Sequence, residues 1–230
     1  MSKQVQDAYI VAATRSPVGK APRGMFRNVR PDDLLAHVLK SALDQCKGID
    51  PHAIDDVIVG CAMPEAEQGM NVARVALLLA GLPNTVSGLT INRFCSSGVQ
   101  AVALAADRIR LGEADVMIAA GTESMSMIPM GGHKPSFSPA IFSNNENIAI
   151  GYGMGITAEK VAQQWNISRE QQDLFAAESH RRALHAADND EFKAEISPFE
   201  VVDRAPDLAT REVAEKRRVA AADEIGRAHV

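Results

Sequence analysis

The sequence predicts an α/β fold, a layered α/β/α core around a mostly parallel sheet, and three observations carry that expectation. Within residues 8–120, short apolar runs alternate with longer stretches of helical period. Strand and helix alternating three times over require crossover connections, which lay strands parallel and place helices on both faces of the sheet. One helical stretch, CSSGVQAVALAA from Cys95, is apolar or small nearly all round, as in a helix held between layers.

Taken in order, residues 8–14 (AYIVAAT) read as a buried strand, followed by a polar loop punctuated by Gly and Pro. Asp32 is expected to cap a helix whose Leu34, Leu35, Val38, Leu39 and Ala42 share one face and which stops at Gly48. Residues 57–61 (VIVGC) form the second strand. Residues 71–80 (NVARVALLLA) form a helix closed by Gly81 with Pro83 beyond. Residues 87–92 (SGLTIN) make a third strand, residues 95–111 a helix stopped by Gly112, and residues 116–120 (VMIAA) a fourth strand. After Glu123 the chain turns rich in Met, Ser, Gly, Pro and Asn. A helix is expected from Thr157, and Ser168 with Gln171 makes a capping box for a helix of about 18 residues. A short strand, 196–202, interrupted by Pro198, comes next. From Asp203 the chain is charged and Ala-rich, with little to form a core.

Composition excludes several function classes. The 230 residues carry 24 Lys and Arg against 29 Asp and Glu, a net charge of −5, so nothing marks a surface for nucleic acid or an anionic membrane. A hydrophobic fraction of 46% with 23% charged residues is that of a globular chain, not a disordered one. No apolar run approaches the roughly 18 residues that span a bilayer, and the start, MSKQVQDAYI, lacks a signal-peptide pattern. Three scattered cysteines, Cys46, Cys61 and Cys95, give neither a disulfide framework nor a zinc site. A cytoplasmic location is expected, with no metal.

The segment Asn92-Arg93-Phe94-Cys95-Ser96-Ser97-Gly98 carries the sharpest chemistry. A strand ends, the chain turns, and a cysteine stands at the first turn of a helix, where unpaired N–H groups favour an anion. The thiolate is the nucleophilic form of cysteine, and the same N–H groups can bond a developing oxyanion. The arrangement suits covalent acyl transfer. Free cysteine is also among the most buried residue types, so inert packing stands beside the nucleophilic reading. Cys61 is placed to line the site or to fill the core. Among the histidines, His37 reads as structural. His180 and His185 are five apart on a charged face, which is not metal-pair spacing. The run Gly151-Tyr152-Gly153-Met154-Gly155 lacks the dinucleotide fingerprint and suits a loop over a ligand. Met125, Met127, Met130 and Met154 either form an adaptable apolar pocket or fill a core.

The stretch NRFCSSGVQAVALAADRIRLGEADVMIAAGTESMSMIPM, followed by MGITAEKVA, closely resembles the thiolase family. The likeness runs from about Val5, in IVAATRSPVGK, to about Glu224, and includes GMNVARVALLLAGLP and SREQQDLFAAESHRRA. The MIPMGG segment looks like the degradative 3-ketoacyl-CoA thiolases. The resemblance implies a thiolase-like layered half with an inserted loop domain. It implies that Cys95 takes an acyl group as a thioester, with coenzyme A as co-substrate and no cofactor. It also implies that the Met- and Gly-rich insertion covers the pantetheine and acyl chain, that Met154 lines that pocket, and that the enzyme forms dimers or tetramers, with a β-oxidation multienzyme as a further partner. A ketoacyl-synthase-type condensing enzyme and a non-catalytic binding or assembly module are the other readings. NRFCSSG and ESMS speak against the first, and the retained Cys95 against the second.

The family also needs a base His in a GHP motif, a second Cys in CxGGG and an NEAFA-type motif, and this sequence has none of them. The resemblance puts them in a second, duplicated α/β half, so the chain is expected to be an inactive fragment. The expected organisation is 1–123 as the incomplete nucleophile half and 124–224 as the truncated loop domain. The remainder, 225–230, is expected to be a non-native tail, because IGRAHV is what ATCGGAAGAGCACACGTC, the look of a sequencing-library adapter, encodes.

Overall fold

The computed structural model describes residues 5–146 and 148–225; the expected tail at 225–230 therefore lies outside it apart from Ile225. The described chain forms two compact units, one of residues 5–132 with 192–225, the other of residues 133–191.

The first unit is organised by β1 (Asp56–Gly60), whose five residues are all buried. It lies between β2 (Ser87–Ile91) and β3 (Met117–Gly121), and both pairings are parallel: Asp56 stands opposite Ser87 and Met117, Gly60 opposite Ile91 and Gly121. Side chains alternate across a strand. Val57 and Val59 accordingly meet Leu35 and Leu39 of α1 (Pro31–Gln45) and Val72, Ala76 and Leu77 of α2 (Val72–Leu79). On the opposite face Ile58 meets Ala101 and Ala105 of α3 (Ser97–Arg110). The three layers of the expected α/β/α core are present, with two helices on one face and one on the other.

Several local expectations change. The residue flanking α1 is Arg30, which gives no side-chain cap, and Pro31 starts the helix, its fixed φ preset for a first turn. Asp32, expected as the cap, is buried inside that turn and held by Arg30 through bonds of 3.0 and 2.8 Å. At α2, Asn71 does cap, accepting from the Arg74 N–H. The third helix does not start at Cys95: a 3-10 turn, Phe94–Ser96, precedes it. Nor is it sheathed all round, because only Ser97, Ala101 and Ala105 are buried and its far side exposes Val99 and Val102.

Residues 8–14 form no strand. Tyr9, Ile10 and Val11 are about four-fifths exposed. The segment and β3 both line one cavity of about 640 Å³, with Leu39 of α1 and Val102 of α3 among its other walls. A strand needs a ladder partner for its N–H and C=O groups, and none lies beside this segment among the described residues. It is tied by a bond from the Ala13 N–H to Gln45 Oε1 and one from the Thr14 hydroxyl to the Glu195 carbonyl, just ahead of a single parallel bridge between Arg15 and Ile196.

The charged, Ala-rich stretch from Asp203, read as having little to form a core, pairs as strands. The strands β4 (Phe199–Asp207) and β5 (Glu212–Ala220) form an antiparallel hairpin. Arg204 faces Glu215 at 2.8 Å, Arg217 reaches Glu200 at 3.1 Å and Arg218 reaches Asp203 at 3.1 Å, so opposite charges sit across the ladder. One end of the hairpin is apolar: Val201 and Ala220 pack with Met25 and Phe26, and Phe199 meets Phe26 edge-on. His37, expected to be structural, bonds the Ser197 hydroxyl at 2.9 Å.

In the second unit, α4 (Met154–Trp165) starts three residues before the expected Thr157, and α5 (Arg169–Asp188) carries the full Ser168–Gln171 capping box. Little of either helix is buried: Trp165, Leu174 and Phe175 are all exposed. Among the described residues no helix is long and apolar enough to cross a membrane.

The first unit is closed by a clasp. Arg15 bonds both carboxylate oxygens of Asp223, at 2.7 and 2.9 Å, and Glu195 at 2.6 Å. Asp223 also accepts from the Val18 N–H. The Arg15 guanidinium, chiefly by hydrogen bonding, holds the Asp223 carboxyl below the usual aspartate range. A carboxyl depressed by folding adds stability above its unfolded value of about 3.9 and loses it as the pH falls through the lower folded value. Asp223→Asn should therefore cost about 1–2 kcal/mol near neutral pH, discounted for partial exposure. The difference from the parent chain should shrink as the pH drops below about 4; thermal melts across that range would check both.

Candidate active site

The carboxyl ends of the three parallel strands, Gly60, Ile91 and Gly121, finish level with one another. The loops leaving that edge bring together Cys61 and Ala62, the 92–97 turn, and Thr122 to Ser124. In open α/β sheets this edge is where ligands bind.

The turn is built tightly. Phe94 takes a left-handed conformation with φ +47, unusual for a non-glycine residue. The Ser97 hydroxyl accepts from the Arg93 N–H at 2.8 Å and donates to the Phe94 carbonyl at 2.6 Å. Asn92 Oδ1 accepts from the Phe94 N–H at 2.8 Å. The reversal leaves Cys95 exposed just ahead of α3. Beneath it the sheet comes close: a Cβ on Gly60 would lie 2.5 Å from the Ser97 carbonyl carbon and 2.7 Å from the Gly98 nitrogen. Only glycine lets the helix start descend this far onto β1.

Behind the turn lies a polar network. Glu123 accepts from the Ala62 N–H at 2.6 Å and from the Gln68 side-chain amide. Gln68, fully buried, also donates to the Met63 carbonyl and accepts from the Ser124 N–H, at 2.9 and 3.0 Å. Glu123, Gln68, Gly60 and Asn92 were given no role by the sequence reading. Their signal was slight: a lone Gln after two glutamates and a Glu opening the ESMS run.

The three cysteines separate by environment. Cys61 is buried, and desolvation, with the Glu123 charge behind it, pushes its thiol up to about 12. It is a core thiol, not a reacting one. Cys46 is half-buried at the end of α1, and Cys95 alone is exposed. In the second unit Met154 opens α4 with its side chain largely in solvent; in the first, Met125 and Met130 are exposed. His185 sits in solvent near Asn189 and Glu191.

A mostly parallel α/β sheet with an exposed cysteine on a strained turn at its carboxyl edge defines a class, the layered α/β proteins that carry a nucleophile-type turn. The particular family follows from comparison. A family model described as thiolase, N-terminal domain, matches residues 8–229, and the chain belongs to that family. The 3-ketoacyl-CoA thiolase of Bacillus subtilis (strain 168) is 48% identical over 197 residues, covering 86% of this chain and 50% of that protein. The 3-ketoacyl-CoA thiolase of Pectobacterium carotovorum subsp. carotovorum is 44% identical over 195 residues, 84% of this chain and 49% of that one. The crystal structure of the Bacillus anthracis acetyl-CoA acetyltransferase superposes with a TM-score of 0.79 at 34% identity, over 99% of this chain and 57% of that one. The chain thus spans about half the length of the curated relatives it matches.

Two outcomes follow from this geometry. Gly60→Ala should destabilise the fold by about 1–3 kcal/mol, the range for overpacking, and a denaturant melt would show it. Iodoacetamide should label Cys95 first, Cys46 more slowly, and Cys61 only on unfolding. Peptide mass mapping gives the order, and equal labelling of Cys61 and Cys95 in the folded chain would contradict it.

Proposed function

We propose that this chain carries the nucleophile half of an acyl-CoA C-acyltransferase of the thiolase type, with Cys95 as the nucleophile. The observation that carries the reading is the exposure of Cys95 on the Phe94 turn, at the carboxyl edge of the sheet and inside NRFCSSG. In the cleavage direction, Cys95 Sγ attacks the 3-keto carbon of a 3-ketoacyl-CoA. The bond between C2 and C3 breaks, its electron pair goes to C2, and C2 takes a proton and leaves as acetyl-CoA. The shortened acyl group stays on Sγ as a thioester until the thiol of a second CoA takes it. Condensation is the reverse. The family names of the Bacillus subtilis and Pectobacterium relatives support a 3-ketoacyl-CoA substrate.

The remaining assignments belong to the same reading. Residues 124–224 serve as the loop domain over the pantetheine and acyl chain, with Met154 in its pocket. CoA is a co-substrate, and no cofactor or metal takes part. The protein is cytoplasmic, and the whole enzyme is a homo-oligomer that can join a β-oxidation assembly. The base His and acid Cys come from GHP and CxGGG motifs, which do not occur in this sequence. The 230-residue chain alone should therefore accept an acetyl group from acetyl-CoA at Cys95 slowly and show no thiolysis turnover. Intact and peptide mass spectrometry would detect the acetyl thioester, and Cys95→Ser should abolish it. Acetylation spread evenly over Cys46 and Cys95 would overturn the assignment.

A further inference from the structure

Phe94 presents a problem that its own side chain does not solve. A bulky residue persists in the left-handed region only where its surroundings hold it there. The phenyl ring is 65% exposed, so burial of the ring does not do the holding. Two side chains bond the Phe94 peptide unit: Ser97, which takes the carbonyl, and Asn92, which takes the N–H. They differ in where their other ends go. Ser97 bonds back to Arg93 within the same turn. Asn92 leaves the turn: its Nδ2 donates to the Ala62 carbonyl at 2.9 Å, in the loop that follows β1. Ala62 is itself held from its N–H by Glu123, in the loop that follows β3. Glu123 thus holds one side of residue Ala62, at its N–H, and Asn92 holds the other, at its carbonyl, while the same Asn92 amide accepts from the Phe94 N–H. The Asn92 side-chain amide provides both ends of the link it occupies, an acceptor for Phe94 and a donor for Ala62, and alanine provides neither.

We propose that Asn92 is a positioning residue for Cys95. It holds Phe94 left-handed and references the nucleophile turn to the two neighbouring strand ends, so that Cys95 is presented at one fixed point on the sheet edge. The functional meaning of this role rests on the reading of Cys95 as nucleophile; the conformational role does not.

The test is a double-variant cycle on the 230-residue chain, made from Asn92→Ala, Phe94→Gly and the two combined, with Asn92→Asp alongside. Glycine enters the left-handed region without steric cost, so it removes the need for a holder. Two readouts are taken: hydrogen exchange of the residue-94 amide, and the ratio of Cys95 to Cys46 alkylation by iodoacetamide within one molecule. Asn92→Ala should speed exchange at Phe94 and lower the alkylation ratio, each by roughly tenfold, the worth of one hydrogen bond. In the Phe94→Gly background the same substitution should change the alkylation ratio by less than about twofold, well short of that single-bond value. Asn92→Asp keeps an acceptor for the Phe94 N–H and should retain its protection, which carries the test if the alanine variant does not fold. An equal loss of alkylation ratio in both backgrounds, or unchanged Phe94 exchange in Asn92→Ala, would overturn the proposal. If Cys95 of the parent chain labels no faster than Cys46 while Phe94 exchange responds as expected, the nucleophile reading fails and the holding role of Asn92 stands.

Discussion

A strand covered on both faces by helices must satisfy its polar groups along its edges and send every side chain into packing. β1 is that strand here, and the first unit depends on it. Val57 and Val59 commit one face to α1 and α2, and Ile58 commits the other to α3. Its N-terminal residue, Asp56, is pinned by Arg108 of α3 at 2.7 Å. Its last, Gly60, lets the start of the same helix come within contact of the backbone. The helix that follows the nucleophile turn is thus fixed to the central strand at both ends.

That double attachment explains why the turn carries strain. Because α3 is seated against β1, the chain leaving β2 has to reverse within a few residues, and Phe94 absorbs the reversal at φ +47. Around it, polar side chains replace regular secondary structure as the source of hydrogen bonds: Asn92, Ser97, Gln68 and Glu123 each satisfy main-chain groups in the loops that follow the strands. The buried Cys61 beside this network is kept neutral by the same surroundings that hold the loop in place.

Elements with a strong period or an explicit cap were legible in the sequence. The runs VIVG, SGLTI and MIAA, the Ser168 cap and the parallel layering all follow from patterns within a few residues. Elements that depend on distant partners were not. AYIVAAT has every local mark of a strand, yet a ladder is a property of two segments, and this one has no neighbour in the described chain. The β4–β5 hairpin failed the opposite way: its charged residues offer no apolar alternation, and what holds them is cross-strand charge pairing and a small apolar end under Phe26. At the site, the position of Cys95 could be read from the motif. The network behind it could not, because Gly60, Gln68 and Glu123 are brought to Asn92 only by the sheet register.

The clasp of Arg15 with Asp223 joins residues 208 positions apart in the chain. The three-stranded sheet, by contrast, lies wholly within residues 56–121. Closing a long loop costs entropy before any contact rewards it, and such contacts form late. During vectorial synthesis the sheet and its helices can therefore collapse into a core while the N-terminal segment waits. The segment that ends in Arg15 is tied down only after Glu195 and Asp223 have emerged. The clasp anchors only the end of that segment: Tyr9, Ile10 and Val11 stay about four-fifths exposed in the folded unit, an apolar run without a ladder partner among the described residues and prone to pair with a neighbouring chain. The order in which this polypeptide is made thus sets when Arg15 is anchored, while the apolar run ahead of it stays open to partners throughout.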